Sequence, residues 1–209
     1  MTTPEAELFC TAAVAFAATV ARVPADAWQR PGLGEWDVRE LVAHTGRAVL
    51  TVETYLMPEP GPVALTDPVD YLRTLTGAAD PDQRAAADAA VAERGRQAAA
   101  VLGDQPAVTV AGQVSRVCAL VRGAPEGSTV RTPAGIMPLT AYLPTRVFEL
   151  AVHTLDLCRA VGLQPPADLA SAVAASTELA GRLAARRWDA AELLLLLTGR
   201  DVTPRPRVL

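Results

Sequence analysis

Residues 146–158 form the stretch that most constrains how this chain can fold. The stretch contains no glycine or proline, and its apolar residues recur at the spacing of a helical face: Val147, Leu150, Ala151, Val152, Leu155 and Leu157. Residues three and four positions apart share one face of an α-helix. The pattern therefore predicts a long helix whose apolar side packs against a core, as in an all-α protein.

Two polar residues of this helix have the spacing of metal ligands. Glu149 and His153 stand four residues apart, so their side chains lie on one face, one turn from each other. His44, the other of the chain's 2 histidines, lies in a second helical pattern over residues 38–47. Helical bundles build metal sites from side chains on facing helices, and three protein ligands leave an open position on the ion. We therefore predict that His44, Glu149 and His153 bind one divalent metal; the alternative is a surface Glu–His pair and a separate structural His44.

Three more side chains near these positions are candidate catalytic residues. Arg146 precedes Glu149 by three residues and either forms a salt bridge with it or binds a substrate carboxylate, which a planar guanidinium suits. Asp156 follows on the same stripe and either orients a ligand imidazole or makes a surface contact. Arg47, just after His44, is a second candidate partner for an anion.

Composition excludes several other classes of protein. The chain has 209 residues, of which 50% are hydrophobic, enough for one well-packed domain. A net charge of −4 without basic clusters argues against a nucleic-acid partner. The apolar run over residues 8–23 follows Glu5 and Glu7 and no basic segment, unlike a secretory signal, and it is too short for a convincing membrane span. We expect a soluble, cytoplasmic protein without a membrane partner.

The cysteines fit the same compartment. Cys10, Cys118 and Cys158 are an odd and widely spaced set that forms neither a disulfide framework nor a metal knuckle. We predict three free thiols, none of which is the reaction's nucleophile. Cys158 lies five residues after His153 and should point away from the metal ligands.

Local signals predict helices almost throughout, with one small β excursion. Asp37 and Glu40 have capping-box spacing, and Asp168 is expected to cap a helix that runs to Arg187. Pro133-Ala-Gly135 lies between two short extended segments and predicts a hairpin within residues 123–139. The predicted helices cover residues 4–21, 37–57, 67–76, 80–102, 104–121, 139–162, 168–187 and 190–198, and the fourth and fifth are either separate or one kinked helix.

Two segments resemble the motifs of a known family. Residues 36–44, WDVRELVAH, resemble the first histidine motif of the mycothiol-dependent maleylpyruvate isomerase N-terminal domain, within the DinB-like superfamily. TPAGIMPL, residues 132–139, followed by TRVFELAVHTLD, residues 145–156, is similar to the second motif. The resemblance covers about residues 5–163, and the closing segment 191–200 resembles the last helix of a C-terminal domain often joined to this one.

The resemblance implies a DinB-like four-helix bundle with additional C-terminal helices. It divides the chain into a metal-binding bundle, residues 1–163, and a reduced C-terminal helical extension, residues 164–209. It further implies a divalent metal, usually Zn²⁺, on His44, Glu149 and His153, with mycothiol or a similar thiol as cosubstrate and an electrophilic small molecule as substrate. The predicted function is that of a thiol S-transferase or isomerase. The alternative is a non-catalytic metal- or ligand-binding bundle with a regulatory or stress role.

Overall fold

Helices account for most of the structure. The computed structural model describes residues 2–57, 59–76 and 81–200. In chain order the elements are α1 (Pro4–Val20), β1 (Pro31–Leu33), β2 (Trp36–Asp37), α2 (Val38–Tyr55), α3 (Pro68–Thr76), α4 (Pro81–Val101), α5 (Pro106–Gly123), β3 (Thr129–Thr132), β4 (Gly135–Pro138), α6 (Leu139–Val161), a 3₁₀ turn (Ala167–Leu169), α7 (Ala170–Arg187) and α8 (Ala190–Leu197). The predicted all-α, DinB-like fold with a small β excursion is confirmed.

The apolar faces of four helices form the core. α6 packs against α1 and α2, and α5 covers the other side of α1 and also contacts α2. Side chains that are fully shielded from water fill the centre, among them Phe9, Phe16, Leu41, Leu150 and Leu157. Because burial of one such side chain is worth about 1.5–3 kcal/mol, this core holds α2 and α6 firmly beside each other. α7 packs on α6, and α4 packs on the outer side of α2.

The ends of α2 and α6 are set by local chemistry. The backbone N–H of Glu40 donates to Asp37 Oδ1 over 2.8 Å, and the backbone N–H of Asp37 donates to Glu40 Oε2 over 3.1 Å. This reciprocal pair is the predicted capping box, and it satisfies two N–H groups that the first turn leaves free. α6 ends at Gly162, whose φ of 71° lies in the left-handed region that glycine adopts without strain.

The predicted hairpin is formed by β3 and β4, which pair antiparallel from Thr129 opposite Pro138 to Thr132 opposite Gly135. The hairpin leads directly into α6, which begins at the residue after β4. The backbone N–H of Leu139, the first residue of α6, donates to the carbonyl of Ser128 over 2.8 Å. The hairpin therefore fixes where α6 begins.

Several local predictions need correction. Asp168 does not cap α7: it lies inside the 3₁₀ turn, α7 begins at Ala170, and no side chain caps its start. No strand was predicted between the first two helices, but residues 31–37 contain the short β1–β2 hairpin. Gly32 permits that hairpin, since a Cβ there would lie 2.6 Å from the carbonyl oxygen of Asp37. α4 and α5 are two separate helices, joined through residues 102–105.

Within the ranges given above, no helix combines the length and the apolar character that crossing a membrane requires. The leucine-rich α8 is short, and three of its side chains, Leu194, Leu195 and Leu197, are exposed. Residues 201–209 lie outside the described residues, as does Asp80, the predicted start of the fourth helix.

Candidate metal centre

Side chains from α2 and α6 converge at one point near the middle of the bundle. On α6, Nε2 of His153 lies 3.3 Å from Oε2 of Glu149. On α2, the ring of His44 meets the ring of His153 edge to face, with 4.9 Å between the ring centroids. Each of the three residues offers one ligand atom, and these atoms all lie within 4.8 Å of one another. The predicted convergence is therefore present, and metal ligation by these residues remains a prediction.

The geometry of His153 suits a metal ligand. Its Nδ1 lies 3.2 Å from Oδ2 of Asp156, while its Nε2 faces Glu149. Ligand imidazoles commonly use one nitrogen for the metal and donate the other N–H to a carboxylate, which fixes the tautomer and the ring plane. The 3.3 Å between His153 Nε2 and Glu149 Oε2 also matches the separation of two ligands on a tetrahedral ion with bonds of about 2.0–2.1 Å. Asp156 thus occupies the orienting position that its spacing suggested.

The three residues influence one another's ionisation strongly. Burial and the nearby charge of His153 lower the pKa of His44 to about 4. Burial opposes a charge on His153, but hydrogen bonds to Asp156 and Glu149 outweigh it and raise the pKa of His153 to about 9. Burial likewise opposes a charge on Glu149, but the hydrogen bond from His153 and the charge of Arg146 lower the pKa of Glu149 to about 2. Near neutral pH the metal-free centre therefore carries a neutral His44, a carboxylate and an imidazolium.

Asp156 gives a direct test of this arrangement. Asp156→Ala removes the acceptor for His153 Nδ1, and loss of such a supporting carboxylate typically weakens metal binding by about 10–100-fold. We expect a loss of that size in the affinity for Zn²⁺, measured by competition with a chromophoric chelator. Asp26→Ala, which removes a surface carboxylate paired with Arg30, is the matched control and should bind as tightly as the unmodified protein. Equal affinity in the two variants would exclude an orienting role for Asp156.

The environment of His44 differs from that of His153. Within the part of the chain that the structure describes, Nδ1 of His44 is buried and has no hydrogen-bond partner. The ring instead lies against Trp36, with 4.3 Å between the ring centroids and 33° between the planes. Trp36 packs against the core, and it also contacts the candidate ligand.

A cleft of about 450 Å³ opens beside the cluster. His44 and Glu149 are among the residues that line it, and α2, α3, α4 and α6 all contribute to its walls. The other lining residues are Arg47, Ala48, Thr51, Tyr55, Tyr71, Leu75, Val91, Arg94, Pro133, Tyr142 and Arg146. A small molecule in this cleft would lie directly beside the candidate ligands.

The guanidinium of Arg146 lies against aromatic rings. Its guanidinium lies over the Tyr142 ring, 4.9 Å from the centroid, and 5.8 Å from the centroid of the Tyr71 ring. Its Nε donates to the hydroxyl of Thr145 over 3.0 Å. The alternative of a salt bridge to Glu149 is wrong, because among the described residues no carboxylate pairs with this guanidinium. Its positive charge nevertheless borders the cleft, so the anion-binding role stays a prediction.

Some of the residues around the candidate ligands could have been predicted from the sequence, and others could not. Tyr142 and Arg146 stand four residues apart on one helix, a spacing that places a ring and a guanidinium together and that could have been found in the sequence. Tyr71 and Arg94 reach the cleft from α3 and α4. Their positions depend on how those helices pack, and no local spacing announces them.

The thiols lie apart from this centre. Cys10, Cys118 and Cys158 are free and buried within the described residues, as predicted, and none of them lines the cleft. Burial raises the pKa of the Cys158 thiol, which keeps it in the unreactive protonated form. That none of the three is the nucleophile remains a prediction.

Fold and cluster together define a DinB-like helical bundle with a candidate metal centre between two of its helices. The chain belongs to the family described as the mycothiol maleylpyruvate isomerase N-terminal domain, whose sequence profile matches residues 9–158. The match covers α2 and most of α6, and so includes every residue of the candidate centre. No curated protein and no solved structure matches the chain.

Proposed function

We propose that this protein is a divalent-metal-dependent enzyme that uses a low-molecular-weight thiol of the mycothiol type as cosubstrate, in thiol transfer or isomerisation. The observation that carries the proposal is that two of the three candidate ligands, His44 and Glu149, line an open cleft. A structural zinc site is typically closed by four protein ligands, whereas a catalytic site has three and keeps one position for water or substrate. Membership of a family named for a mycothiol-dependent isomerase supports the thiol.

In this proposal each residue has a separate task. His44, Glu149 and His153 hold the metal, most simply Zn²⁺, and Asp156 fixes the ring plane and tautomer of His153. A bound Zn²⁺ supplies the chemistry of lowering a thiol's pKa, so that thiolate is available at neutral pH. Arg47 and Arg146 place positive charge along the cleft, where they would hold an anionic part of a substrate.

The proposed unit of function is the bundle formed by residues 1–163. All residues assigned a task lie on α2 and α6, within these bounds. We assign residues 164–209 to a C-terminal extension, whose helix α7 packs on α6.

A spectroscopic titration tests whether a small thiol binds to the metal. Mycothiol added to the cobalt-substituted protein is expected to produce a thiolate-to-cobalt charge-transfer band, since metal coordination deprotonates a thiol. The band should weaken as the pH is lowered, because protons compete with the metal for its ligands. His44→Ala, treated identically, is expected to give no band.

An unchanged spectrum at millimolar thiol, with bound cobalt confirmed by elemental analysis, would contradict the proposed use of a thiol. A non-catalytic metal-binding bundle would then account better for the same residues.

A further inference from the structure

We propose that Trp36 is a positioning residue for His44, and that Gly95 of α4 is present because it admits the Trp36 ring. The inference rests on the proposed function, since it concerns how a metal ligand is held. It adds two residues, from β2 and α4, to a centre whose ligands come from α2 and α6.

The two histidines of the centre are supported in different ways. His153 has a carboxylate on its second nitrogen, Asp156 Oδ2 at 3.2 Å. For His44 the structure shows no such carboxylate contact, and its Nδ1 is buried without a hydrogen-bond partner among the described residues. A ligand imidazole that lacks such an acceptor must have its plane fixed by packing. The Trp36 ring, with its centroid 4.3 Å from that of His44, lies against the His44 imidazole. The His153 ring meets the same imidazole edge to face.

The Trp36 ring is in turn held by α4. A Cβ built on Gly95 would lie 3.0 Å from both Cε2 and Nε1 of Trp36 and 3.2 Å from Cζ2. Gly95 is buried in the middle of α4, where glycine is less favourable than alanine by about 0.8–1.0 kcal/mol. A glycine there is explained by the close approach of the indole, which an alanine methyl group would displace.

This contact gives α4 a connection to the metal centre. α4 places Val91 and Arg94 in the cleft and Gly95 against Trp36, and Trp36 lies on His44. Two successive contacts, Gly95 with Trp36 and Trp36 with His44, therefore connect α4 to a candidate ligand. The position of α4 therefore determines where the His44 ring sits.

Variants at Trp36 separate ring support from simple filling of space. Trp36→Phe keeps an aromatic ring beside His44 and is expected to bind Co²⁺ within about threefold of the unmodified protein. Trp36→Leu keeps apolar volume but no ring, and it should lose about 10–100-fold in Co²⁺ affinity, as outer-shell changes do, with an altered d–d absorption spectrum. Trp28→Leu is the matched control, because Trp28 is also half-buried against the core, whereas the ring contact with His44 is made by Trp36. It should leave both affinity and spectrum unchanged.

A variant with Trp36 intact tests the role of Gly95. Gly95→Ala is expected to weaken Co²⁺ binding at least tenfold and to shift the ring-proton resonances of His44 in the metal-free protein, since the indole that shields them moves. Combining it with Trp36→Phe should restore part of the affinity. Gly112→Ala, on α5, is the control for alanine in a helix, because a Cβ at Gly112 has open space; it should change neither property.

Three results would overturn the inference. If the unmodified protein binds Co²⁺ but Trp36→Leu binds it equally tightly with the same spectrum, Trp36 does not position His44. If Gly95→Ala leaves the His44 resonances and the affinity unchanged, the role of Gly95 is wrong. If the unmodified protein binds no Co²⁺ at all, the proposed function fails, and this inference fails with it.

Discussion

Replacing His44 with alanine is expected to remove the protein's ability to retain a divalent metal. The change deletes one of three proposed ligands and leaves Glu149 and His153, which lie 3.3 Å apart and would pair with each other. We expect the affinity for Zn²⁺ to fall by more than the roughly 10–100-fold that follows loss of an outer-shell partner. Elemental analysis after dialysis, combined with chelator competition, measures the loss.

The His44 experiment has a matched control on the same helix. Glu53 lies on α2 and pairs with Arg116 at 2.9 Å instead of facing the cleft, so Glu53→Ala should keep its metal. Because Nδ1 of His44 has no partner to lose, the His44 variant should fold normally by circular dichroism. Stoichiometric, tight Zn²⁺ binding by a folded His44→Ala protein would contradict the proposed ligand set.

Leu150→Ala is expected to produce the largest loss of stability without touching the proposed chemistry. Leu150 is 0% exposed in the core on α6, and α6 packs between α1, α2 and α7. Truncating a buried leucine removes its transfer free energy and leaves a cavity, which together cost about 2–5 kcal/mol. The free energy of unfolding, measured by urea denaturation, should fall by that amount.

Leu194 supplies the comparison for Leu150. It lies on α8 with 62% of its surface exposed, and substitutions at such positions usually change stability by no more than about 0.5 kcal/mol. At temperatures where Leu150→Ala remains folded, Leu150→Ala and Leu194→Ala should bind Zn²⁺ with similar affinity. A loss below about 1 kcal/mol for Leu150→Ala would show that α6 is not packed as described.

The sequence was informative wherever local spacing decides the structure. Glu149, His153 and Asp156 lie on one helix, so their relative positions follow from the helical repeat. The capping box at Asp37 and Glu40 and the hairpin around Pro133 follow from equally local rules. Asp168 misled the prediction because Pro166 and the next residues form a separate 3₁₀ turn before α7 begins.

Contacts between elements could not be obtained in this way. His44 is more than 100 residues away from Glu149 in the chain, so no helical repeat relates the two. The prediction that they meet rested on the general way in which bundles build metal sites and on the family resemblance, and the structure places them together. The contacts of Trp36 with His44 and Gly95 depend on the β1–β2 hairpin and on the packing of α4. Neither the hairpin nor that packing has a periodic pattern in the sequence. The contacts of Trp36 and Gly95 beside the candidate ligands were therefore not predicted.

X-ray absorption at the zinc edge of the Zn²⁺-loaded protein tests the central claim most directly. The account predicts one zinc per chain, two imidazoles and one carboxylate among the nearest neighbours, and Zn–N and Zn–O distances of about 2.0–2.2 Å. A remaining light-atom ligand from solvent should be replaced by sulfur when mycothiol is added. A sulfur neighbour at about 2.3 Å in the protein without added thiol would contradict the account, because it would make a cysteine a ligand. Failure to retain zinc at all would contradict it equally.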